Sequence, residues 1–396
     1  MKKTSQKTVI FCHDTYYCRH SNQEIYAFGA FPYKLWAERF LPHFDQVKII
    51  GRDKGACDSD VSMLDCSSGP NVTHILLPNI NAPLKRLLQG RRLYEEIYRQ
   101  VSEVDGVIIR GPVEFGMMAA RAARAQKKPY AVEMSGCAFD HTWFHGSIIG
   151  HLYAPIKYLR ARHMVARADQ VIYVTQRFLQ KRYPANGRIE FASNVEITAP
   201  EEAVLTQRLT RINAKPSALK IGLIGNYGNA LKGLDIAINV LGRLKAEGYK
   251  FDLHVLGSGD PQRWHEAMKQ QGLEEHIHFD GTLPGGDQVM TWLDGLDLYI
   301  QPSRHEGLPR AVIEAMSRGL PCLISNAGGA DELLDPYCIH KKGSADQLYY
   351  QLKGIWSDWS WQAEQAENNF LRAKDYTAEV LKPKREAFWQ QFLSKL

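Results

Sequence analysis

Residues 296–329 have the sequence LDLYIQPSRHEGLPRAVIEAMSRGLPCLISNAGG. An apolar run at Leu296–Gln301 is followed by a turn that contains Ser, Gly and Pro, and apolar residues then recur at helical spacing over 309–318. A second apolar run, Leu320–Ser325, ends in another Gly-rich turn. Two short apolar strands separated by one helix are typical of a parallel β-α-β unit, in which helices cover both faces of the sheet.

The same alternation runs through the whole chain of 396 residues. In the first half, strand-like runs occur at Thr8–Cys12, Val47–Gly51, His74–Leu77, Gly106–Arg110, Tyr130–Met134 and Gln170–Val174. In the second half, further runs occur at Leu219–Gly225, Phe251–Gly257 and His276–Gly281, before the segment quoted above. Helical patterns separate these runs, and a polar stretch at 198–218 joins the two series. This pattern predicts an α/β fold with two doubly wound, Rossmann-like domains.

We place the first domain at 1–197 and the second at 198–377, and we expect them to face each other across a cleft. The last segment, 378–396, has an apolar stripe at helical spacing that is formed by Phe388, Trp389, Phe392, Leu393 and Leu396. A helix with such a stripe buries it against another surface. We expect this helix to pack back on the first domain.

Composition excludes several classes of protein. Apolar residues make up 44% of the chain and charged residues 23%, which excludes a disordered or fibrous protein. No uninterrupted run of about 18 apolar residues predicts a membrane-spanning helix, and the polar start at Met1–Lys7 is unlike a secretory signal. The seven cysteines are odd in number and include no Cys-x-x-Cys pair, so we expect reduced, mostly packed thiols in a cytoplasmic protein.

Polar and glycine-rich loops follow the strands of the second half. They are Gly225–Gly233, Gly257–Asp260, Asp280–Thr282, Ser303–Pro309 and Ser325–Gly329. Ligands of open parallel sheets bind outside the carboxyl ends of the strands, so five such loops at one edge predict a binding site. Glycine is also the usual turn residue, and a single loop of this kind therefore carries little information.

The segment from Glu306 to Glu314 is the most specific part of this edge. Pro309 suits the first turn of a helix, whose free N–H groups and positive dipole end favour a phosphate. The alternative is a structural role, in which Glu314 pairs with Arg310 or Arg318 one turn away and Glu306 complements the helix dipole.

The run from Pro302 to Met316, which continues to Gly328-Gly329, resembles the Glu-x7-Glu signature of family 4 glycosyltransferases. The resemblance extends to the loops Gly225–Gly233, Leu256–Gly259 and Phe279–Thr282, and it is weaker in the first half. Members of this family are retaining enzymes with the two-domain GT-B fold. The resemblance therefore implies the GT-B architecture and a nucleotide-sugar donor.

The resemblance also implies roles for the matching residues. Glu306 would contact the donor sugar and Lys232 would neutralise the diphosphate, which makes these two the implied catalytic residues. Glu314 would bind the ribose hydroxyls, because a carboxylate can accept two hydrogen bonds from a cis-diol. The backbone that would hold the sugar and the diphosphate belongs to Gly307, Leu308 and Pro309.

Two other positions in the second half are less typical of the family. Many members have an Arg where this chain has Asn226, so the usual pair of cations would be incomplete. Arg304 would then supply the second charge at the donor site. Thr282 would lie at the edge of the nucleotide base.

In the first half, Gly29 falls where the first glycine-containing loop of the family approaches the donor phosphates. Family members often carry a His after the strand that corresponds to Tyr130–Met134, and this chain has none there. His141 or His145 would compensate for the missing imidazole. The alternative for both is an ordinary packed or surface histidine.

Together these features imply a retaining glycosyltransferase that uses a UDP- or GDP-sugar, with no metal ion and no other cofactor. The acceptor would be a saccharide linked to polyprenyl diphosphate in the synthesis of a bacterial surface polysaccharide such as O-antigen or capsule. One alternative is a sugar-nucleotide 2-epimerase of the same fold. Another is a bilobed protein that binds a glycan or nucleotide without turnover.

The charge is distributed unevenly between the halves. Residues 1–198 have a net charge of +9 and the remainder −3, which together give +6. Basic residues are mixed with apolar ones in Pro83–Val101 and in Ile148–Ala168, and no acidic residue occurs from Thr142 to Ala168. Such helices suit a peripheral face on an anionic membrane. Many bacterial members of the family extend polyprenyl-linked saccharides, so the resemblance implies that this domain binds the anionic inner face of the cell membrane as a peripheral protein. A solvated basic face is the alternative, and nucleic acid is not an expected partner.

Overall fold

The computed structural model describes residues 6–29, 31–58, 60–62, 64–79, 83–195 and 197–396, with the backbone alone at 83–87. The first half is built around a sheet of nine described strands. These strands are β1 (Thr8–Arg19), β2 (Ile25–Ala27), β3 (Gln46–Ala56), β4 (Asp65–Cys66), β5 (Val72–Leu77), β6 (Gly106–Gly111), β7 (Tyr130–Met134), β8 (Gln170–Tyr173) and β9 (Arg188–Phe191). The parallel part has the order β5-β3-β1-β6-β7-β8-β9. Strands β2 and β4 add a short antiparallel extension at the carboxyl end of β1.

Helices connect the strands of the first half. They are α1 (Tyr33–Arg39), α2 (Pro83–Ser102), α3 (Glu114–Ala125), α4 (Ala138–Trp143), α5 (Ile148–Ala166) and α6 (Phe178–Arg182). The central strands are buried on both faces, as in residues 9–12 of β1 and 107–109 of β6. Continuous burial explains why these strands are uninterrupted apolar runs in the sequence.

The second half contains a separate six-stranded parallel sheet with the order β12-β11-β10-β13-β14-β15. Its strands are β10 (Leu219–Ile224), β11 (Phe251–Leu256), β12 (Ile277–Gly281), β13 (Leu298–Gln301), β14 (Cys322–Ser325) and β15 (Ile339–His340). The helices are α7 (Glu202–Asn213), α8 (Leu234–Ala246), α9 (Gln262–Gln270), α10 (Asp287–Asp294), α11 (Arg310–Ser317), α12 (Ala345–Ile355), α13 (Trp359–Ala373) and α14 (Ala378–Leu393). Short 3₁₀ turns lie at Ala230–Lys232, Ala330–Glu332, Pro336–Cys338 and Lys374–Tyr376.

Both sheets have the strand order of a Rossmann fold, so the predicted α/β class with two doubly wound halves is confirmed. In each half the direction of winding reverses beside the first strand. The reversal lies between β1 and β6 in the first sheet, and between β10 and β13 in the second. Ligands of such sheets bind at the carboxyl edge where the winding reverses, because the two adjacent loops diverge and leave a crevice.

The chain passes between the halves twice, and the two passages touch. Ile197 and Thr377 form a parallel β-bridge, and the amide of Ala378 donates to the carbonyl of Ile197 at 2.9 Å. After the second passage, α14 packs on the first half. The ring of Trp389 lies 5.3 Å from that of Phe40, measured between centroids.

The structure extends some elements beyond the predicted runs. Strand β1 continues to Arg19 rather than ending at Cys12, because its polar second part leaves the sheet centre and pairs with β2. The polar stretch predicted as a linker at 198–218 contains α7. Arg208 anchors that helix to the second half by donating hydrogen bonds to the carbonyls of Leu293, Leu296 and Arg318.

The prediction that all seven cysteines are free thiols is wrong for one pair. Cys18 and Cys57 form a disulfide. The parallel register of β1 and β3 sets Arg19 opposite Ala56 and so brings the two cysteines together, which spacing in the sequence does not reveal. The other five cysteines are free, and all but Cys66 are buried.

Candidate active site

The loop that follows β10 carries Lys232 to the edge of the second sheet. Asn229 begins the short 3₁₀ turn by accepting a hydrogen bond from the amide of Leu231 at 2.9 Å, and Lys232 ends it. A Cβ atom at Gly225 would lie 2.5 Å from Cγ of Lys232, so the glycine leaves room for the lysine stem. Gly233 has φ +75°, and a Cβ atom there would lie 2.0 Å from the carbonyl oxygen of Pro302. These contacts bring the loop after β10 against the loop after β13.

Glu306 lies in the loop after β13 and pairs with this lysine. Its Oε1 accepts hydrogen bonds from Nζ of Lys232 at 2.7 Å, from Oγ of Ser303 at 2.7 Å and from Nε2 of Gln301 at 3.3 Å. Burial raises the pKa of Glu306, but Lys232 and Ser303 outweigh this effect and hold the pKa below its usual value. Glu306 is therefore an ionised carboxylate in a largely enclosed site. Its Oε2 has no hydrogen-bond partner among the described residues.

The backbone after Glu306 packs tightly against two other loops. A Cβ atom at Gly307 would lie 2.1 Å from the carbonyl oxygen of Ser135, which belongs to the first half. On its other side, the amide of Gly329 donates to the carbonyl of Gly307 at 2.8 Å. Leu308 is buried, and Pro309 immediately precedes the first residue of α11. The start of α11, whose first amides are predicted to favour a phosphate, follows Glu306 by four residues.

Glu314 lies on α11, and its carboxylate makes no ion pair or hydrogen bond with any described residue. Burial raises its pKa, and the nearby Arg310 lowers it by a smaller amount. Arg318, one turn further along, pairs with Asp294 through two contacts of 2.7 Å. The described part of the chain therefore contains no ion pair between Glu314 and Arg310 or Arg318, which was the structural alternative.

Arg304, the predicted second cation, is held by Asp235 and by the backbone of Ala230. Its guanidinium forms two hydrogen bonds with the carboxylate of Asp235, at 2.7 and 2.6 Å, and a third with the carbonyl of Ala230 at 2.7 Å. Because Asp235 already neutralises this charge and fixes its direction, Arg304 ties the loop after β13 to the start of α8.

Asn226 and Thr282 lie in the loops after β10 and β12. The amide nitrogen of Asn226 donates to Oγ of Ser258 at 3.0 Å, while its oxygen accepts from the amide of Gly228 at 2.9 Å. Asn226 thus shapes the loop and supplies no charge. The side chain of Thr282 is exposed at the end of β12.

Gly29, the predicted site residue of the first half, has φ +128° and lies in an exposed loop, where its carbonyl accepts from the amide of Phe31 at 2.7 Å.

The first half also contributes residues that the sequence reasoning missed. The Phe31 ring contacts His13 at 4.8 Å and the guanidinium of Arg110 at 5.2 Å. His13 lies in β1 directly after the part that pairs with β6, and Arg110 lies near the carboxyl end of β6, so they flank the reversal point of the first sheet. The rule that ligands bind beyond the carboxyl ends of parallel strands, applied to the predicted strands Thr8–Cys12 and Gly106–Arg110, would have found both residues.

Burial and charge set the protonation of this pair. Burial, with Arg110 and Arg52 nearby, lowers the pKa of His13 to about 3, and burial lowers that of Arg110 to about 10. At neutral pH the imidazole is therefore uncharged and the guanidinium charged. The amide of Thr15 donates to Nδ1 of His13 at 3.1 Å, which leaves the proton of the neutral ring on Nε2.

The two halves meet at this edge. The ring of His141 lies 5.3 Å from that of His305, the residue before Glu306, while His145 lies 6.3 Å beyond His141. Burial lowers the pKa of His141 to about 3, so this imidazole is neutral. A second contact forms where the carboxylate of Glu332 accepts from the backbone amides of Gln176, Arg177 and Phe178 at 2.5, 2.9 and 2.8 Å. Of the two predicted histidines, His141 is the one that reaches the site.

Comparison with known proteins bears on the family of this chain. Residues 218–358 match the family described as Glycosyl transferases group 1. Over 334 residues the chain is 33% identical to Protein CapJ of Staphylococcus aureus, which covers 84% of this chain and 82% of CapJ. The chain belongs to the group 1 glycosyltransferases. It is also 27% identical over 177 residues to the O-antigen biosynthesis glycosyltransferase WbnH of Escherichia coli, which covers 44% of this chain and 49% of WbnH.

A solved glycosyltransferase structure has the same architecture. The group 1 glycosyltransferase described here is similar to Anabaena Alr3699/HepE in complex with UDP and glucose, with a TM-score of 0.64 and 17% identity. The likeness covers 98% of this chain and 99% of the other. At this level of identity the likeness shows the fold, and it confirms the predicted GT-B arrangement of this group 1 glycosyltransferase.

Proposed function

We propose that this glycosyltransferase moves a sugar, with retention of configuration, from a UDP- or GDP-sugar to a saccharide acceptor. One observation carries the proposal: Nζ of Lys232 contacts the carboxylate of Glu306 across the reversal point of the second sheet, with Glu314 unpaired nearby. A cation, an enclosed carboxylate and the start of a helix match the charges and hydroxyls of a sugar diphosphate.

The leaving group makes the clearest demand on the site. When the bond between the anomeric carbon and the phosphate oxygen breaks, the electron pair and the new negative charge remain on the diphosphate. Lys232 and the amides at the start of α11 can stabilise that charge, because they are already in place and need no rearrangement. In this scheme the positive charge comes from the protein, and we propose that no metal ion or further cofactor takes part.

Glu306 acts as a binding residue rather than a nucleophile in this scheme. Three hydrogen bonds occupy its Oε1, and Oε2 can accept from a hydroxyl of the donor sugar. The acceptor oxygen attacks the anomeric carbon on the face from which the diphosphate leaves. Its proton passes to the departing phosphate oxygen, so that retention needs no covalent intermediate with the enzyme.

Glu314 completes the donor site as the ribose-binding residue. A carboxylate without an internal partner can accept hydrogen bonds from both hydroxyls of a cis-diol. The other members of the proposed site are Gly29, Asn226, Thr282, Gly307, Leu308 and Pro309. We do not include Arg304, since Asp235 holds its guanidinium.

We further propose that the acceptor is a saccharide carried on polyprenyl diphosphate, in the synthesis of a bacterial surface polysaccharide such as O-antigen or capsule. The relationship to WbnH, an O-antigen biosynthesis glycosyltransferase, supports this assignment. The site of action would be the cytoplasmic face of the cell membrane. No helix among the described residues is long and apolar enough to span a bilayer, so attachment would be peripheral.

Calorimetric titration with UDP, GDP and ADP, followed by incubation with the corresponding sugars, tests the proposal. We expect one of the first two nucleotides to bind, and its sugar to be transferred to an added saccharide acceptor with retained configuration. Conversion of the donor to its 2-epimer without an acceptor would instead identify an epimerase. Tight binding of nucleotide or glycan without turnover would identify a binding protein, and both outcomes would contradict the proposal.

A further inference from the structure

The outward face of α5 is apolar. Five side chains of this helix are more than half exposed, at 80, 61, 74, 54 and 63% of their surface: Ile148, Ile149, Leu152, Ile156 and Leu159. At 100° per residue, these five cover one side of the helix. The opposite side is buried against the first half through Ala154, Ala161 and Met164. Helix α5 therefore has two apolar sides, and the protein covers only one of them.

Basic residues border this outward face. By the same helical spacing, Arg160 and Arg162 project on either side of the five apolar residues. Arg160 pairs with Glu114 at 2.9 Å, while the exposed Arg162 contacts only the hydroxyl of Tyr158, at 3.3 Å, among the described residues. No acidic residue occurs between Thr142 and Ala168, and the first half carries most of the positive charge. The surroundings of the apolar face are thus complementary to an anionic surface.

We propose that the outward face of α5 inserts into an anionic lipid bilayer. An exposed row of Ile and Leu with flanking cations is the pattern by which a helix lies in the interface of such a membrane. At about 1.5 Å per residue the helix is about 28 Å long. Its first three turns and its basic end can therefore lie together in the plane of the membrane surface. The predicted basic segment Ile148–Ala168 thus forms, in the structure, an apolar face with basic residues at its edges. Of the other predicted basic segment, Pro83–Val101, the side chains of Lys85 and Arg86 lie outside the described residues.

A second copy of the chain is a poorer occupant of this face. A two-fold contact through α5 would bring Arg162 of one copy toward the same basic segment of the other, and that segment has no acidic residue to offset the repulsion. Anionic lipid headgroups offset the same charges.

The position of α5 connects the membrane to the active site. Helix α4 leads directly into α5, and its His141 contacts His305 beside Glu306. Trp143, at the end of α4, stacks on Phe139 at 5.3 Å and contacts His151 on α5 at 4.6 Å. Ile148, which the membrane would hold, is therefore only seven residues along the chain from His141, which lines the cleft. We infer that this membrane contact presents the saccharide of a lipid-linked acceptor to the cleft, and this part of the inference rests on the proposed function.

The test compares two triple variants of the full chain. One replaces the outward residues (Ile148→Asn, Leu152→Asn and Ile156→Asn), and the matched control replaces exposed side chains of the second half (Tyr337→Asn, Tyr350→Asn and Leu371→Asn). Each is sedimented with vesicles of phosphatidylglycerol and phosphatidylethanolamine, and with vesicles of phosphatidylcholine alone. We expect the α5 variant to bind the anionic vesicles at least about tenfold more weakly than the wild type, and the control to bind like the wild type. Arg162→Gln should weaken binding at low salt only.

Two outcomes would overturn the inference. One is wild-type vesicle binding by the α5 variant, and the other is a wild-type dimer that this variant converts to a monomer in light scattering. Circular dichroism and nucleotide calorimetry on the same samples show whether the variant is folded and whether its donor site is intact. A wild-type chain that binds vesicles through α5 but binds no nucleotide would contradict the proposed function and support the membrane face.

Discussion

Nζ of Lys232 lies 2.7 Å from Oε1 of Glu306, although the two residues follow different strands, β10 and β13. These strands are neighbours in the sheet, and the winding reverses between them. The contact joins the two features that the proposed donor site requires, a cation for the leaving group and an acceptor for the sugar hydroxyls. Lys232 also lowers the pKa of Glu306 and so keeps that carboxylate ionised in an enclosed place.

We expect Lys232→Ala to lower turnover about 100-fold or more, because a charge aimed at the leaving group stabilises the transition state more than the ground state. The matched control is Lys353→Ala, which removes an ion pair of the same length, 2.7 Å to Glu247, away from the site. Initial rates with saturating donor measure the effect. Equal rates for the two variants would contradict the role of Lys232.

We expect Glu314→Gln to weaken nucleotide binding while it stabilises the unliganded protein at neutral pH. Burial raises the pKa of Glu314 above its usual value of 4.5, so the folded state binds a proton more readily than the unfolded state. The stabilising effect of that proton is present below pH 4.5 and is lost as the pH rises through the raised pKa. The gain in Tm of the variant should therefore appear at neutral pH and vanish below pH 4.5. A Tm difference that does not depend on pH would contradict this reading of Glu314.

We expect Arg304→Ala and Asp235→Ala to have similar effects on nucleotide affinity and on stability, and the double variant to be no worse than either. The reason is that the two side chains form one structural pair, with contacts of 2.6 and 2.7 Å. A phosphate-binding Arg304 would behave differently. In that case Arg304→Ala alone would reduce affinity for nucleotide, and its effect would fall with added salt.

We expect His141→Ala to lower turnover about tenfold without shifting the pH profile. Burial lowers the pKa of His141 to about 3, so its ring stays neutral across the working range and can donate one hydrogen bond and accept another. His151→Ala, whose ring contacts Trp143, is the control. A profile that loses a limb near neutral pH in the His141 variant would show that this ring titrates during turnover.

We expect Gly307→Ala to abolish transfer, because the added Cβ atom would lie 2.1 Å from the carbonyl of Ser135 and would separate the halves at the site. Gly285→Ala is the control, since no heavy atom lies within 4 Å of the position of its Cβ. Turnover and small-angle scattering would be measured together. Full activity of Gly307→Ala would show that this contact between the halves is not needed for transfer.

The sequence predicts the fold because its strands are buried on both faces and are therefore continuous apolar runs. Glu306 and Lys232 lie in polar loops that follow strands, which is the part of the site that the residues alone indicate. The roles of these two residues and of Glu314 come from the resemblance of their segments to the family signature. The partner of Arg304 was not predictable, since Asp235 is 69 residues away along the chain. The Cys18–Cys57 pair depends on the register of two strands. The outward face of α5 was hidden because a helix with two apolar sides does not reveal which one the protein covers.

The return of α14 to the first half has a consequence for synthesis. Phe40 and Phe44, which the ribosome makes early, obtain their packing partners Trp389 and Phe392 from the last turns of the chain. The amino-terminal half of the nascent chain consequently emerges with part of its core open to water, and it completes that core only after residues 378–396 have been made. A gene fragment that stops at residue 197 should therefore yield a product that aggregates, whereas the same fragment supplied with a separate peptide of residues 378–396 should be rescued.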